Sequence, residues 1–267
     1  MHFALLHQGR PALLRVEGPA GAPVALFFHP FPLHADAWTD MLAACAASGL
    51  CAAALDAPGF GGTPARGEPL TMDTLAELGA CALDTLGARR AAIVGCSLGG
   101  YAAMAFWRKF PDRMTAVALL ATRASADTEE GKQNRERQAK LALEGSPDKV
   151  LAEFLPKMLS QDPPPGARRR VEELAQRATA QGIADALRGM AARPDSTPDL
   201  PKWKVPALVI AGAQDQLIPM AEAEKLKRGI PGARLEVIAN AGHLPFIEQP
   251  RAVAPLLTAH LQLRVRD

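Results

Sequence analysis

Gly95-Cys96-Ser97-Leu98-Gly99 sets one hydroxyl among small neighbours, directly after the apolar Ile93 and Val94. Glycine sits poorly inside a strand or a helix, so the cluster reads as a tight bend. The G-x-S-x-G pattern lies between a predicted strand and a predicted helix, the setting in which such a bend presents a serine oxygen for attack. A structural helix cap is the alternative for Ser97. A serine hydroxyl is a poor nucleophile near neutral pH; it needs a base, and the base needs an orienting acid. Among six histidines, His243 follows Ala241-Gly242 just after the predicted strand "LEVIA" and precedes "LPFIEQP". It is the candidate base, with an ordinary loop histidine as the alternative. His2 and His7 fall in an opening hairpin, and His260 falls in the last helix as a surface or packing residue. Asp215, in "VIAGAQDQLIP", is the candidate acid; its alternative is a helix N-cap. Acyl transfer also needs two N–H donors for the oxyanion. Leu98 supplies one at a helix N-terminus, where the dipole favours negative charge. Phe31, between Pro30 and Pro32, keeps its N–H and supplies the other.

Nearby residues give weaker signals. Cys96 adjoins the serine but is expected to point into the sheet. Trp38, Met158, Leu217 and Leu244 are candidates to line an apolar pocket, each with plain core as the alternative. Arg123 could meet a substrate carboxylate, but a surface salt bridge is the preferred reading.

Short β-type runs alternate with helical stretches, and these elements must position the candidates. "FALL" and "ALLRVE" form an opening hairpin. Strands follow at 24–29, 52–56, 91–95, 116–121, 207–212 and 235–239. Helices are predicted over Trp38–Ala47, Leu70–Leu86, Leu98–Phe110, Met220–Arg228 and Ile247 to about Leu263. The alternation predicts an α/β fold with a doubly wound, mostly parallel sheet and an antiparallel edge. Arg123 to Lys204 breaks the rhythm: it is charged and helical, with "DPPPG" as an internal break. It reads as a helical cap inserted at the carboxyl end of a strand, where such sheets keep their sites. A separate helical domain is the alternative. The expected division is core 1–122, cap 123–204 and core 205–267.

With 267 residues, 48% hydrophobic and 22% charged, the composition is that of a globular protein. A formal net charge of +2 gives no footprint for nucleic acid. Arg168, Arg169 and Arg170 are followed by Glu172 and Glu173, as on a solvated helix face. Neither a signal peptide nor a membrane span is expected. Cys45, Cys51, Cys81 and Cys96 lie apart in apolar surroundings and read as reduced, buried cysteines of a cytoplasmic protein. The partner expected is a small-molecule ester or lactone, without metal or cofactor, for a monomer or homodimer.

Five stretches carry a resemblance: "HPFP", "DAPGFGGT", "GCSLGG", "GAQDQLIP" and "AGHLPFIEQP", in that order. Over about residues 12 to 263 the chain resembles the α/β-hydrolase fold superfamily. Within it, the chain is similar to the group of small carboxylesterases, enol-lactonases and cofactor-free haloperoxidases. The resemblance implies Ser97 as nucleophile, His243 as base, Asp215 as its acid, Phe31 and Leu98 as oxyanion donors, and a metal-free site under a cap. Asp56 and the "PGFGG" after it match as a structural loop, with Asp56 anchoring turn amides. His29-Pro30 stands where the family usually has His-Gly, which leaves the path of that loop and the isomer of the Pro30 peptide open.

Overall fold

The computed structural model describes residues 1–262. Its strands are β1 (His2–His7), β2 (Arg10–Glu17), β3 (Val24–Phe28), β4 (Cys51–Leu55), β5 (Ala91–Cys96), β6 (Met114–Leu120), β7 (Ala207–Gly212) and β8 (Arg234–Ile238). They join one sheet in the order β1-β2-β4-β3-β5-β6-β7-β8. The β1–β2 and β2–β4 pairs are antiparallel, and every later pair is parallel. Strands β3, β4, β5 and β7 are buried at every residue. Their near-continuous runs of valine, leucine, alanine and phenylalanine suit strands covered on both faces. The doubly wound sheet expected from the alternation is present.

Helices α1 (Thr39–Ala47), α2 (Met72–Thr85) and α3 (Leu98–Lys109) follow β3, β4 and β5. A 3-10 turn over Ala35–Trp38 precedes α1, so the helix predicted from Trp38 starts one residue later. Four helices then lie between β6 and β7: α4 (Glu129–Leu143), α5 (Pro147–Phe154), α6 (Ala167–Ala175) and α7 (Ala180–Ala191). Thr128 and Thr179 cap α4 and α7 by accepting from the N–H groups of Gly131 and Gly182. Helix α8 (Met220–Gly229) precedes β8, and α9 (Pro245–Glu248) and α10 (Pro250–Gln262) close the described chain. The single closing helix predicted from Ile247 is thus two helices, and its expected end at Leu263 lies outside the described residues. Among those residues no helix is long and apolar enough to cross a membrane.

The helical insertion spans the carboxyl ends of the strands. On one side, Thr179 donates through both N and Oγ1 to the Gly59 carbonyl beyond β4, and Asp185 accepts from the Gly67 N–H. On the other, Ser160 and Gln161 bond to side chains from beyond β8 and β7. Its neck is closed by Ser196 N–H on the Ala124 carbonyl, 2.9 Å, and by the buried carboxylate of Asp127. Asp127 pairs with Arg123, Arg135 and Arg193. Burial pushes this carboxyl up, but hydrogen bonding and charge from Arg135 and Arg193 outweigh burial and hold it at about 2. Arg193 also lies 4.0 Å over the Tyr101 ring of α3. Arg123 is therefore committed to the neck, as the salt-bridge reading has it.

Candidate active site

Ser97 stands between the end of β5 and the first turn of α3, with φ 53° and ψ −113°. A side chain in that region stores on the order of 1–3 kcal/mol of strain. The backbone around it is held from several directions. Ser97 N–H donates to the Leu120 carbonyl at 3.0 Å, and its own carbonyl accepts from Gly100 N–H, Tyr101 N–H and Thr122 Oγ1. Two glycines make the bend possible. A Cβ on Gly95 would lie 2.1 Å from the Gly99 carbonyl oxygen, and one on Gly99 would lie 2.0 Å from that of Phe28. The same closeness packs the N-terminus of α3 against the end of β3, where the Phe31 loop begins. Cys96 is buried, as expected; burial first, then the nearby Asp215 charge, push its thiol well above the usual range. A thiol held protonated is a poor nucleophile.

Asp215 and His243 meet although 28 positions separate them. His243 Nδ1 lies 2.9 Å from Asp215 Oδ2 and 3.1 Å from Oδ1, with side chains 1% and 4% exposed. A carboxylate only accepts, so Nδ1 carries the proton and Nε2 is left with a lone pair. Asp215 Oδ1 also accepts from the N–H groups of Leu217 and Ile218, at 2.8 and 3.0 Å. The carboxylate thus caps a turn and holds the imidazole; Pro219, not Asp215, precedes α8. The two loops are stitched by Ala213 N–H on the Ile238 carbonyl and Gln214 N–H on the Ala241 carbonyl. The base loop reaches the elbow at the Cys96 thiol, 3.8 Å from the His243 carbonyl oxygen. Among the described residues, Ser97 Oγ and His243 Nε2 have no hydrogen-bond partner.

The N–H groups of Phe31 and Leu98 are likewise without partner among the described residues. The Phe31 loop is shaped by Leu33 N–H on the Pro30 carbonyl at 2.9 Å. The cis peptide is Phe31–Pro32, one proline beyond the bond left open by the sequence. His29 ties this loop down, a role its sequence position did not reveal. Its Nε2 accepts from Ala57 N–H at 3.0 Å, so Nδ1 carries the proton and donates to the Pro30 carbonyl at 3.0 Å. Burial, partly offset by that bond, lowers the His29 ring to about 4. Asp56 accepts from Ala35 and Gly62 N–H groups, anchoring turn amides as expected.

Of the four pocket candidates, Trp38 belongs to the core. It is fully buried, stacked on Phe246 with centroids 3.9 Å apart and tilted against Phe27. Its ring serves packing between β3 and α9. Met158 and Leu244 are also fully buried, and Leu217 is half-buried. Phe31, by contrast, meets Phe154 of the insertion edge-on at 5.2 Å and Phe60 at 6.0 Å. Cavities of about 550 and 310 Å³ open at the amino ends of β3 and β5, away from Ser97.

Glu248, like His29, has a role that its place in the sequence does not reveal. It is 2% exposed, and each carboxylate oxygen takes one backbone N–H. Oε1 accepts from Gly242 at 2.6 Å, and Oε2 accepts from Ser160 of the insertion at 2.8 Å. One side chain therefore ties the residue before His243 to the insertion. Its signal was a lone acid in the apolar, proline-flanked "LPFIEQP".

Residues 23–250 match the model of the alpha/beta hydrolase fold family. A thermophilic esterase from Thermogutta terrifontis superposes with a TM-score of 0.92 at 31% identity, covering 100% of both chains. The enol-lactonase from Burkholderia xenovorans LB400 gives 0.89 at 25% identity, covering 97% of this chain and 99% of the other. A pimeloyl-[acyl-carrier protein] methyl ester esterase from Neisseria meningitidis serogroup A is 30% identical over 210 residues; these make up 76% of this chain and 65% of that protein. The chain belongs to the α/β hydrolase fold family, in its group of esterases and enol-lactonases.

Proposed function

We propose that this chain is a serine hydrolase that cleaves carboxylic esters or lactones of small molecules through an acyl-enzyme on Ser97. The observation that carries the reading is the Asp215–His243 pair. It fixes the tautomer whose free Nε2 can accept a proton, on a loop that touches the strained serine bend. In the first step His243 Nε2 takes the Ser97 proton while Oγ bonds to the substrate carbonyl carbon. The Phe31 and Leu98 N–H groups hold the oxyanion, each worth roughly 3 kcal/mol of barrier. Collapse breaks the bond to the alkoxy oxygen, which leaves with the proton from His243. Water then gives a proton to the same Nε2, attacks the acyl carbon, and releases the acid and free Ser97. Asp215 stabilises the imidazolium in both halves without taking its proton.

In this reading residues 123–204 act as a cap, and Phe31, Phe60 and Phe154 offer the acyl or alcohol group an apolar surface. With Arg123 engaged by Asp127, a free carboxylate on the substrate finds no partner there. The names of the esterase and enol-lactonase relatives favour the same bond type. A panel of p-nitrophenyl esters and lactones, with a fluorophosphonate probe, tests the proposal. Ser97→Ala should lose about 10⁴-fold or more in kcat/KM and all labelling, with an unchanged melting curve. Retained turnover by that variant would refute the reading.

A further inference from the structure

We propose that the free edge of β8 is a self-complementary docking strand for a second copy of this chain, paired antiparallel about a two-fold axis at Leu235. Among the described residues β8 ends the sheet, with β7 as its neighbour on one side only. The Ile238 carbonyl accepts from Ala213 on the β7 side. Alternation along the strand then turns the backbone groups of Arg234, Glu236 and Ile238 toward β7 and those of Leu235 and Val237 outward. An open row of this kind is a template for another strand.

The side chains select the occupant and the register. Val237 is 50% exposed, among the few large apolar residues left so open. Arg234 and Glu236 lie two positions apart, hence on one face, and neither has an ion-pair partner among the described residues. A two-fold axis at Leu235 sets each Arg234 opposite the partner's Glu236, twice, in the closely spaced type of antiparallel pair. It also sets each Val237 opposite the partner's Ala233. The two Leu235 residues exchange N–H···O=C bonds across the axis, and each Val237 N–H reaches the partner's Ala233 carbonyl. The Ala233 N–H is already used on the Ile230 carbonyl and is not needed. An axis at Glu236 would oppose two carboxylates. The other edge of the sheet, β1, reads HFALLH and holds no acid to match. A strand that pairs Arg with Glu only when it meets itself in reverse fits a closed, isologous dimer.

Sedimentation velocity from roughly 1 to 200 µM, the range of a weak edge contact, tests this without reference to catalysis. Wild type should pass from monomer to dimer across that range. Arg234→Glu and Glu236→Arg should each raise the midpoint by about tenfold or more, because two attractive pairs become repulsive. The double variant Arg234→Glu/Glu236→Arg should restore the wild-type midpoint. Amide exchange at Leu235 and Val237 should slow as the concentration rises. A chain monomeric throughout, a dimer indifferent to the single reversals, or a double variant as weak as the singles would each overturn the proposal. Arg234 is exposed and Glu236 half-buried, neither in the core, so matching thermal melts will show that folding is intact.

Discussion

The two halves of the candidate site are held in different ways. The serine bend is specified by the small residues beside it: Gly95 and Gly99 let backbone meet backbone, while the Ser97 peptide is held by Gly100 and Tyr101 and by Leu120 and Thr122 at the end of β6. The imidazole side is assembled from afar. Asp215 reaches His243 across 28 positions, and Glu248 joins Gly242 to Ser160, 88 positions from the carboxylate. The bend should therefore fail through sterics, and the imidazole side through loss of a carboxylate.

The largest effect expected on the imidazole side is from Asp215→Asn. An amide nitrogen cannot accept the Nδ1 proton, so the ring turns to the tautomer with Nε2 protonated. A loss of about 10⁴-fold in kcat, with KM little changed, should appear in ester hydrolysis. On the bend, Gly99→Ala should cost stability. Its methyl would enter the Phe28 carbonyl, which is part of a strand and cannot move aside. A loss of about 3 kcal/mol by urea midpoint is expected; a neutral result would mean that the close approach is not maintained in solution. Glu248→Gln is smaller and more telling. The amide NH₂ faces one of two backbone N–H groups and leaves it unpaired at a cost of about 1–3 kcal/mol. If Glu248 aligns His243, kcat and the rate of fluorophosphonate labelling should fall together by about tenfold, since small misplacements of a reacting group cost this much or more. Loss of stability with full labelling would reduce Glu248 to a fastener of the insertion.

This contrast explains what was legible in the sequence. A bend that depends on backbone sterics must be written locally, in glycines beside the serine, and it was read from them. Asp215 and His243 each end a different strand, so the strand pattern already set them on one edge. The sheet itself was visible because strands buried on both faces read as unbroken apolar runs. Glu248, His29 and Asp127 were not assigned their roles because each joins a partner close in sequence to one between 28 and 88 positions away. Nothing in the sequence marks the distant half of the link. Trp38 shows the converse: an aromatic close to the Phe31 loop in sequence turns its ring to the core, against Phe246 from the other end of the chain.

Acid should separate the serine side from the neck of the insertion. An unfolded histidine titrates near 6.5, while burial holds folded His29 at about 4. Between those values the unfolded chain binds a proton that the folded chain refuses, so stability is complete above about pH 7 and falls as pH drops toward 4. The slope from one such group approaches about 1.4 kcal/mol per pH unit. His34, lowered by burial despite Asp56 and Asp36, and His260, lowered by burial, act in the same direction. Asp127 runs the other way in cause and lower in range. Its carboxyl at about 2 lies below the ordinary 3.8, so its contribution is present above about 3.8 and is lost only beneath that. Across pH 7 to 4, then, the neck should stay intact while the loop beside Phe31 weakens. His29→Gln keeps an acceptor for the Ala57 N–H but cannot titrate. Urea midpoints for this variant should fall less steeply from pH 7 to 4.5 than those of the wild type. Identical slopes would mean that His29 is not the group refusing the proton.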